Sequence, residues 1–378
     1  MGENMKRKIF TTILCFILFT FLSSCTDNKN NDITTITDMV DRKVEINPGS
    51  YERVVCIGAG ALRLYSYIGD VNKLCGVEDI DNYMLESRPK IFDSVARPYF
   101  IANKEVFKNL TSCGVGGPQT QSAEPEKILA CNPDIVISEY EDVDKENALQ
   151  EQLGVPVITV RYGANGAFDE NIKKSISLLG LVFNLEEKAS ILNAFILSEK
   201  EEIEKRVLNA SSDKLVYICG LGNWGTTNHL MTVQNYEPFN ICKINNVVSG
   251  LIKDGIQKID EEKFETISDD VDILIIDSAA IKNITDKSVF YNMKAWKNGE
   301  VYLQMAYNAY YTNIEISLIN TWFNAKIAYP EIFSDIDMKE KTNEVTKAFL
   351  GKELADEIYA YPNSFGGYKK MNTETFPR

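Results

Sequence analysis

The chain has a single histidine among its 378 residues, at position 229. A cage of several imidazoles around a bare divalent cation is therefore excluded. The sequence also lacks a Gly-x-Ser-x-Gly elbow, an HExxH motif and a Walker loop, and no serine or cysteine near His229 suggests a catalytic triad. These absences argue against an enzyme, and we expect neither catalytic residues nor a cofactor.

Positive charge is scarce, because 40 Lys and Arg residues stand against 54 Asp and Glu residues, a formal net charge of −14. This balance argues against nucleic acid as a partner, since phosphates require a basic face. The eight cysteines include no CxxC pair and no zinc-like spacing. Several lie in apolar runs, where a free thiol packs as a small hydrophobic residue, although disulfides among them stay open at this stage.

Long apolar runs are also missing, apart from one at the start of the chain. Three basic residues at 6–8 precede the apolar stretch 9–22, which is too short to span a bilayer permanently and predicts a signal peptide over residues 1–24. The stretch ends in Leu-Ser-Ser before Cys25, which resembles a bacterial lipobox, in which the thiol receives a diacylglycerol and becomes the mature N-terminus. A plain signal peptide or an uncleaved anchor is the alternative.

Short apolar runs alternate with helix-like segments along the rest of the chain, which is typical of a parallel α/β sheet. The runs lie at residues 54–57, 135–137, 157–160, 215–219, 272–276 and 300–303. Residues 168–207 have apolar residues at helical spacing, and we expect Gly180 to break this stretch in two. The pattern predicts a tether (25–35), an N-terminal α/β lobe (36–167), the helical segment, and a C-terminal α/β lobe with terminal helices (208–378).

Two further sequence patterns lie within the predicted lobes. Residues 39–46 suggest a β-hairpin around a charged turn. Residues 124–137 and 260–276 then echo one another: each runs from an acidic helix start through a short helix and an acidic turn into a buried strand. The echo is consistent with two related lobes, although any α/β unit can have this form.

Three segments carry a resemblance to a known family. Residues 41–55, 69–77 and 125–137 resemble the substrate-binding proteins of ABC importers for ferric siderophores, haem or cobalamin, the class III periplasmic binding proteins. The resemblance implies that a rigid helix joins the lobes and that the ligand binds in the cleft between them. It also implies that Glu126 and Glu262, one on each lobe, meet arginines of the transporter.

A narrower resemblance is to the branch of that family that handles iron or metal complexes. Arg97-Pro98-Tyr99 carries it in the first lobe, and residues 235–239 and 307–313 carry it in the second. Related proteins in this branch handle nickel complexes or molybdate. With one histidine in the chain, an already chelated metal fits better than a bare ion.

The candidate ligand contacts are residues expected at the carboxyl ends of strands, where open α/β sheets place their crevices, or residues in the narrower resemblance. Arginine offers a permanently charged fork of donors, and the aromatic and imidazole groups suit a pocket wall. Among the three tyrosines of 307–311 we favour the first two, because one segment cannot turn all three the same way. The predicted set is Arg97, Tyr99, Arg161, Trp224, His229, Tyr307 and Tyr310.

Together with the lipobox-like sequence before Cys25, the resemblance implies a monomeric, lipid-anchored solute-binding protein on the outer face of the cell membrane. It would capture a small metal chelate, first of all a ferric siderophore, and deliver it to an ABC permease and ATPase complex. Haem, a corrinoid, a nickel complex and molybdate are alternatives as the ligand. A surface adhesin or scaffold and an enzyme are alternatives of another class.

Overall fold

The computed structural model describes residues 33–222, 227–372, 374 and 376. None of the helices in this part of the chain is long and apolar enough to cross a membrane. The predicted signal peptide, the lipidation residue Cys25 and the predicted ligand contact Trp224 lie outside the described residues.

The strands, in chain order, are β1 (Thr34–Thr37), β2 (Lys43–Ile46), β3 (Val54–Ile57), β4 (Gly76–Glu78), β5 (Thr111–Gly114), β6 (Ile135–Ser138), β7 (Val157–Thr159), β8 (Leu215–Cys219), β9 (Met231–Val233), β10 (Asn245–Asn246), β11 (Ile256–Lys258), β12 (Ile273–Asp277), β13 (Val301–Gln304) and β14 (Lys369–Lys370). The α-helices are α1 (Ala61–Ile68), α2 (Pro98–Phe107), α3 (Pro125–Ala130), α4 (Val143–Leu153), α5 (Glu170–Val182), α6 (Glu186–Arg206), α7 (Glu237–Cys242), α8 (Glu261–Ser268), α9 (Lys294–Lys297), α10 (Ile314–Ala328), α11 (Met338–Leu350) and α12 (Ala355–Tyr359).

The N-terminal lobe is built on a parallel sheet. Its central strands have the order β3-β6-β7, and β4 pairs with β5. A parallel bridge between Val54 and Leu74 sets β4 beside β3. Every residue of β3 and β6 is buried, as expected for strands that helices cover, and this is why both read as continuous apolar runs in the sequence.

The C-terminal lobe repeats this plan with a five-stranded sheet in the order β10-β8-β12-β13-β14. Its first four strands are parallel, and β14 joins antiparallel at the edge. A separate two-stranded antiparallel sheet pairs β9 with β11. The two mainly parallel sheets confirm the predicted α/β class.

The helical segment between the lobes is a pair of packed helices, α5 and α6. The break lies at Phe183–Leu185, where Asn184 has a positive φ of 54°, and the prediction that Gly180 breaks the stretch is wrong. Gly180 lies inside α5 at the contact with α6: a Cβ there would stand 2.6 Å from the Cβ of Ala189. The glycine therefore allows the two helices to approach closely.

A hairpin of β1 and β2 precedes the first lobe. Thr34 is already in β1, two residues before the predicted start of the lobe at residue 36. The turn is closed by Asp38, whose Oδ1 accepts the backbone N–H groups of Val40 (3.1 Å) and Arg42 (3.0 Å). The buried Arg42 guanidinium donates to the Val157 carbonyl at 3.1 Å, which ties the hairpin to β7.

The largest hydrophobic cluster contains residues of both lobes, a smaller one lies within the first lobe, and the chain from Ile33 onward forms one compact unit. Helix α10 is buried at nearly every position. The terminal segment also returns to the first lobe, where the Asn363 N–H donates to the Ser94 carbonyl at 2.9 Å. The lobes are thus joined by the paired helices, by α10 and by this returning segment, which favours a stiff relation between them.

Candidate functional site

The loops at the carboxyl ends of both parallel sheets meet between the lobes, as open α/β sheets require of a binding crevice. One crossing contact is made by Tyr310, which follows β13. Its hydroxyl donates to Glu78 Oε2 at 2.7 Å and accepts the Gly117 N–H at 3.0 Å. Glu78, at the end of β4, also accepts the Gly58 N–H at 3.1 Å. The contact therefore links three loops of the first lobe to the second.

A buried arginine in α1 makes the densest crossing contact. Arg63 donates to the carbonyl oxygens of Ala309 (2.6 Å), Tyr310 (3.2 Å) and Thr312 (2.6 Å). It also donates to Asn313 Oδ1 at 2.9 Å. Four acceptors around one guanidinium satisfy most of its donors, which is how a buried permanent charge is tolerated.

Sequence reasoning did not identify Arg63 as part of the site. A signal was present, because Arg63 is the single charged residue in the apolar helix Ala61–Ile68. A charge in such a helix indicates a specific buried partner.

Arg97 and Tyr99, both predicted ligand contacts, lie buried on a shared carboxylate. Arg97 Nη1 is 2.5 Å from Asp81 Oδ1, and the Tyr99 hydroxyl donates to the same oxygen at 2.9 Å. The Arg97 guanidinium also lies 4.6 Å from the centre of the Phe100 ring. In this state both groups stabilise the loop before α2, and their contact with a ligand stays a prediction.

Arg161 follows β7, and its Nε is 2.5 Å from Glu141 Oε2. More than a third of each of these two side chains is exposed, so the ion pair is partly solvated. Glu139 stands beside this pair at the end of β6. Burial and the neighbouring Glu141 and Glu78 raise its pKa to about 9.

His229 lies in the C-terminal lobe between two aromatic rings. Its imidazole centre is 5.0 Å from that of Phe264 and 6.0 Å from that of Phe290, in edge-to-face arrangements. Its Nε2 is 3.4 Å from Glu261 Oε2 at the start of α8. These contacts describe a packed histidine with one carboxylate neighbour, and ligand contact by His229 stays a prediction.

The tyrosines after β13 differ sharply in exposure. Tyr307 and Tyr310 are 7% and 4% exposed, whereas Tyr311 is 39% exposed. Burial raises the pKa of both Tyr307 and Tyr310 above the ordinary value, most of all for Tyr310. The Tyr311 ring lies 4.6 Å from that of Tyr162, centre to centre, across the lobes. Tyr311, which the sequence argument did not favour, is thus the most exposed of the three tyrosines.

Each lobe has a buried carboxyl group at the end of a strand, Glu78 in β4 and Asp277 in β12. Burial raises the pKa of Glu78 to about 7, and it does the same for Asp277 at the end of β12. Asp277 accepts the backbone N–H groups of Tyr307 (2.8 Å) and Ala279 (3.0 Å), so it shapes the start of the tyrosine segment.

The two predicted docking residues lie on matching elements of the two lobes. Glu126 is exposed in the first turn of α3, and Glu262 is exposed in the first turn of α8. Each helix leads into a central parallel strand, β6 or β12. The positions suit both helix-dipole stabilisation and contact with a partner.

The described residues contain no group of three or more His, Cys, Asp or Glu side chains placed to hold a metal ion. All six cysteines of the described chain are free, and all but Cys75 are buried. The side chains found between the lobes are instead aromatic rings, carboxyl groups, and arginines that pair with carboxylates.

A sequence profile of the periplasmic binding protein family matches residues 54–306, about two thirds of the chain. The chain belongs to this family, and its fold is that of the class III members, with two parallel α/β lobes. It is a solute-binding protein of the kind that serves ABC transporters, and its homologues are transport-associated binding proteins.

Relatives within this class bind different solutes. The molybdate-binding protein MolA of Haemophilus influenzae is 23% identical to this chain over 340 residues, which are 83% of this chain and 90% of MolA. The structure of MolA with molybdate aligns with a TM-score of 0.65 and 18% identity, covering 85% of this chain and 98% of MolA.

Two further structures share the fold. A periplasmic solute-binding protein of Veillonella parvula has a TM-score of 0.67 and 19% identity, covering 89% of this chain and 98% of its own. CeuE of Helicobacter pylori, in a nickel–histidine complex, has a TM-score of 0.58 and 16% identity, covering 86% and 98%.

Proposed function

We propose that this solute-binding protein is lipid-anchored at Cys25 and captures a ferric chelate between its lobes for delivery to an ABC permease. The observation that carries the choice of a chelate is the absence, among residues 33–222 and 227–372, of a metal-ligating group of three side chains. Tyr307 and Tyr310 are both buried, and the Tyr310 hydroxyl already donates to Glu78, so these phenols are not placed to hold a bare iron ion. Iron would therefore have to enter already wrapped by an organic ligand.

The charges around the cleft are compatible with such a solute. Arg97 is committed to Asp81 in the interior, whereas the Arg161–Glu141 pair is partly solvated. A solvated ion pair contributes about 0–1 kcal/mol, so Arg161 can exchange Glu141 for an acidic group of the solute at little cost. Arg161 is accordingly our first choice for contact with the charged face of the chelate.

Molybdate is the second candidate, and the similarity to MolA along most of the chain favours it. A tetrahedral oxyanion needs several donors around it. Backbone N–H groups in the first turn of α1, which begins after Gly60, are donors of this kind, but that of Ala61 already donates to the Gly58 carbonyl at 3.4 Å.

A titration of the purified protein with ferric siderophores, haem, cobalamin, nickel–histidine and molybdate tests the proposal. Calorimetry measures binding by any member, and tryptophan fluorescence reports a solute close to Trp224. A Trp224→Phe variant is the control, since the buried Trp296 and Trp322 remain in it. Binding of a ferric chelate supports the proposal, and binding of none of these solutes refutes it.

The lipid anchor is tested separately. Wild-type protein should fractionate with membranes and incorporate labelled fatty acid, whereas a Cys25→Ala variant should do neither. Membrane association that persists in the variant without label would point to an uncleaved anchor.

Docking through Glu126 and Glu262 is tested by transport. A double variant, Glu126→Ala and Glu262→Ala, should retain solute binding and lose most uptake, because exposed carboxylates contribute little to folding but can pair with arginines of the permease. Glu201→Ala, at an exposed position of α6, is the matched control. Uptake at the wild-type rate by the double variant would contradict the docking role.

A further inference from the structure

A concave surface lies beside the first turn of α8, and all of its lining residues belong to the C-terminal lobe. Its volume is about 490 Å³, and it is lined by residues 250–253, 257–260 and 263. We call it the lysine concavity, because its lining includes Lys253, Lys258 and Lys263. Lys258 is the last residue of β11, and Lys263 comes directly after Glu262 in α8. The lysine concavity therefore adjoins a predicted docking residue.

Hydrogen bonds fix the loop 250–255, which contributes part of this surface. Asp254 Oδ1 accepts from the side-chain amide of Gln234 at 2.7 Å, and Gln234 Oε1 accepts the Gly250 N–H at 3.0 Å. In addition, Lys263 Nζ donates to the Leu251 carbonyl at 3.1 Å. The loop is thus tied both to the residue after β9 and to α8, so the lysine concavity is formed without a partner.

The charges beside the start of α8 are not neutralised within the described part of the chain. No ion pair there involves the three lysines of the concavity, whereas Lys294 of the same lobe pairs with a carboxylate at 2.7 Å. Asp260, the acidic residue of the lining, caps α8 by accepting the Lys263 N–H at 2.7 Å. Glu262 is exposed next to it. Ammonium groups and a carboxylate are therefore presented side by side to a partner.

The matching element of the N-terminal lobe has no such surface. Residues 115–125, which lead into α3, contain no lysine or arginine. Lys127 of α3 is already paired, because its Nζ is 2.8 Å from Glu124 Oε2. The two docking helices resemble each other in Glu126 and Glu262, but only the second is accompanied by unpaired ammonium groups.

We propose that the lysine concavity binds an acidic segment of the ABC permease, next to the arginines that Glu262 would meet. The inference rests on the proposed docking and goes beyond it, because it makes the C-terminal lobe distinguishable from the N-terminal lobe at the transporter.

Charge complementarity favours the permease over an anionic membrane surface as the partner. Asp260, Glu261 and Glu262 precede Lys263 directly, and lipid phosphates would repel these carboxylates. A protein can instead place an acidic group against the lysines and a basic group against Glu262. Matched charges of both signs also fix the orientation in which two surfaces dock.

The first experiment measures the affinity of a charge-reversal variant for a purified transporter. The probe is the ABC permease–ATPase complex whose deletion abolishes the uptake that depends on this protein, held in detergent without added lipid. A double variant, Lys253→Glu and Lys258→Glu, should bind this complex about tenfold more weakly than wild type, the scale of two exposed ion pairs. Its melting temperature and its calorimetric binding of the solute panel should be unchanged, because both side chains are exposed.

A second double variant, Lys104→Glu and Lys174→Glu, is the matched control. These lysines lie at exposed positions of α2 and α5 and make no ion pair with another described residue. The control changes the net charge by the same amount, so its affinity for the complex should stay within about twofold of wild type. An equal loss in both double variants would trace to net charge alone and would overturn the proposal.

Comparison with the Glu126→Ala and Glu262→Ala double variant separates the lysine concavity from the docking glutamates. Weaker binding of the complex by the glutamate variant, with wild-type affinity in the lysine variant, would overturn the role of the concavity and leave docking intact. Weaker binding by the lysine variant alone would support the concavity and contradict the role of the glutamates. Failure of wild type to bind the complex would overturn both.

Vesicles of phosphatidylglycerol test the lipid alternative. The Lys253→Glu and Lys258→Glu changes are made in the Cys25→Ala background, so that no lipid anchor contributes to vesicle binding. Loss of vesicle binding on these changes, together with wild-type affinity for the permease complex, would assign the concavity to lipid headgroups and overturn the proposal. Weaker binding of the complex with no change in vesicle binding supports it.

Discussion

The buried carboxyl of Glu78 predicts a specific dependence of stability on pH. Burial raises the pKa of Glu78 from 4.5 to about 7, although the Tyr310 hydroxyl and the Gly58 N–H partly offset this by donating to it. A folded-state pKa above the unfolded-state value means that the folded protein binds the proton more tightly. Stabilisation by this group is therefore complete below pH 4.5 and is lost as the pH rises to about 7.

The magnitude follows from the size of the shift. One pKa unit corresponds to about 1.4 kcal/mol, so the shift of Glu78 is equivalent to roughly 3 kcal/mol. Glu78→Gln cannot ionise. Its single amide oxygen replaces two carboxylate oxygens, one of which accepts from Tyr310 and the other from Gly58, and the cost of this loss is the same at every pH. The free energy of unfolding of the variant should improve relative to wild type by about 3 kcal/mol between pH 4.5 and pH 7.5.

Urea unfolding followed by circular dichroism and by fluorescence, at several pH values across this window, measures the difference. Other buried carboxyls, such as Asp277, titrate alike in both proteins and cancel. Glu45→Gln, at an exposed position of β2, should show no comparable change with pH. A difference between Glu78→Gln and wild type that is the same at every pH would refute the reasoning.

Two further predictions concern packing. Gly60→Ala should destabilise the protein by more than about 2 kcal/mol, because its φ is 95° and a Cβ would stand 2.4 Å from the Tyr162 hydroxyl. Gly154→Ala, with a φ of 68° but no atom within 4 Å, should cost about 1 kcal/mol, and equal losses of melting temperature would contradict the steric argument. Among the described cysteines, the half-buried Cys75 should react first with a thiol reagent under native conditions, and the others should react only on unfolding. Rapid titration of several thiols in the native protein would contradict this order.

Much of the fold could be predicted from local sequence. All six predicted apolar runs are strands of the two parallel sheets, because strands covered on both faces leave an unambiguous pattern. The short strands β4, β5 and β9 were not predicted. Each has three or four residues and acquires its identity by pairing with a segment far along the chain. The error at Gly180 has a similar cause, since the glycine serves a contact between helices and not a turn.

The candidate site was only partly predictable. The predicted segments after β7 and β13 do meet between the lobes, where the Tyr162 and Tyr311 rings are in contact, since strand ends are a topological property of the fold. Their contact with a ligand stays a prediction. Which side chain is open and which is buried depends on partners in the other lobe. Arg97 is held by Asp81, and Tyr310 is held by Glu78, while Tyr311 is partly exposed. Residue type and spacing do not encode these pairings.

The sequence by itself determined the α/β class, the two-lobed plan and the family. Alternating apolar runs and short motifs are properties of local sequence, so they can be recognised before the chain has folded. The tertiary structure alone decided how the lobes meet. The Arg63 hydrogen bonds to residues 309–313 join groups about 250 positions apart, and they set the backbone that presents Tyr311. Such contacts arise only when the chain has folded, since they depend on the packing of both lobes at once.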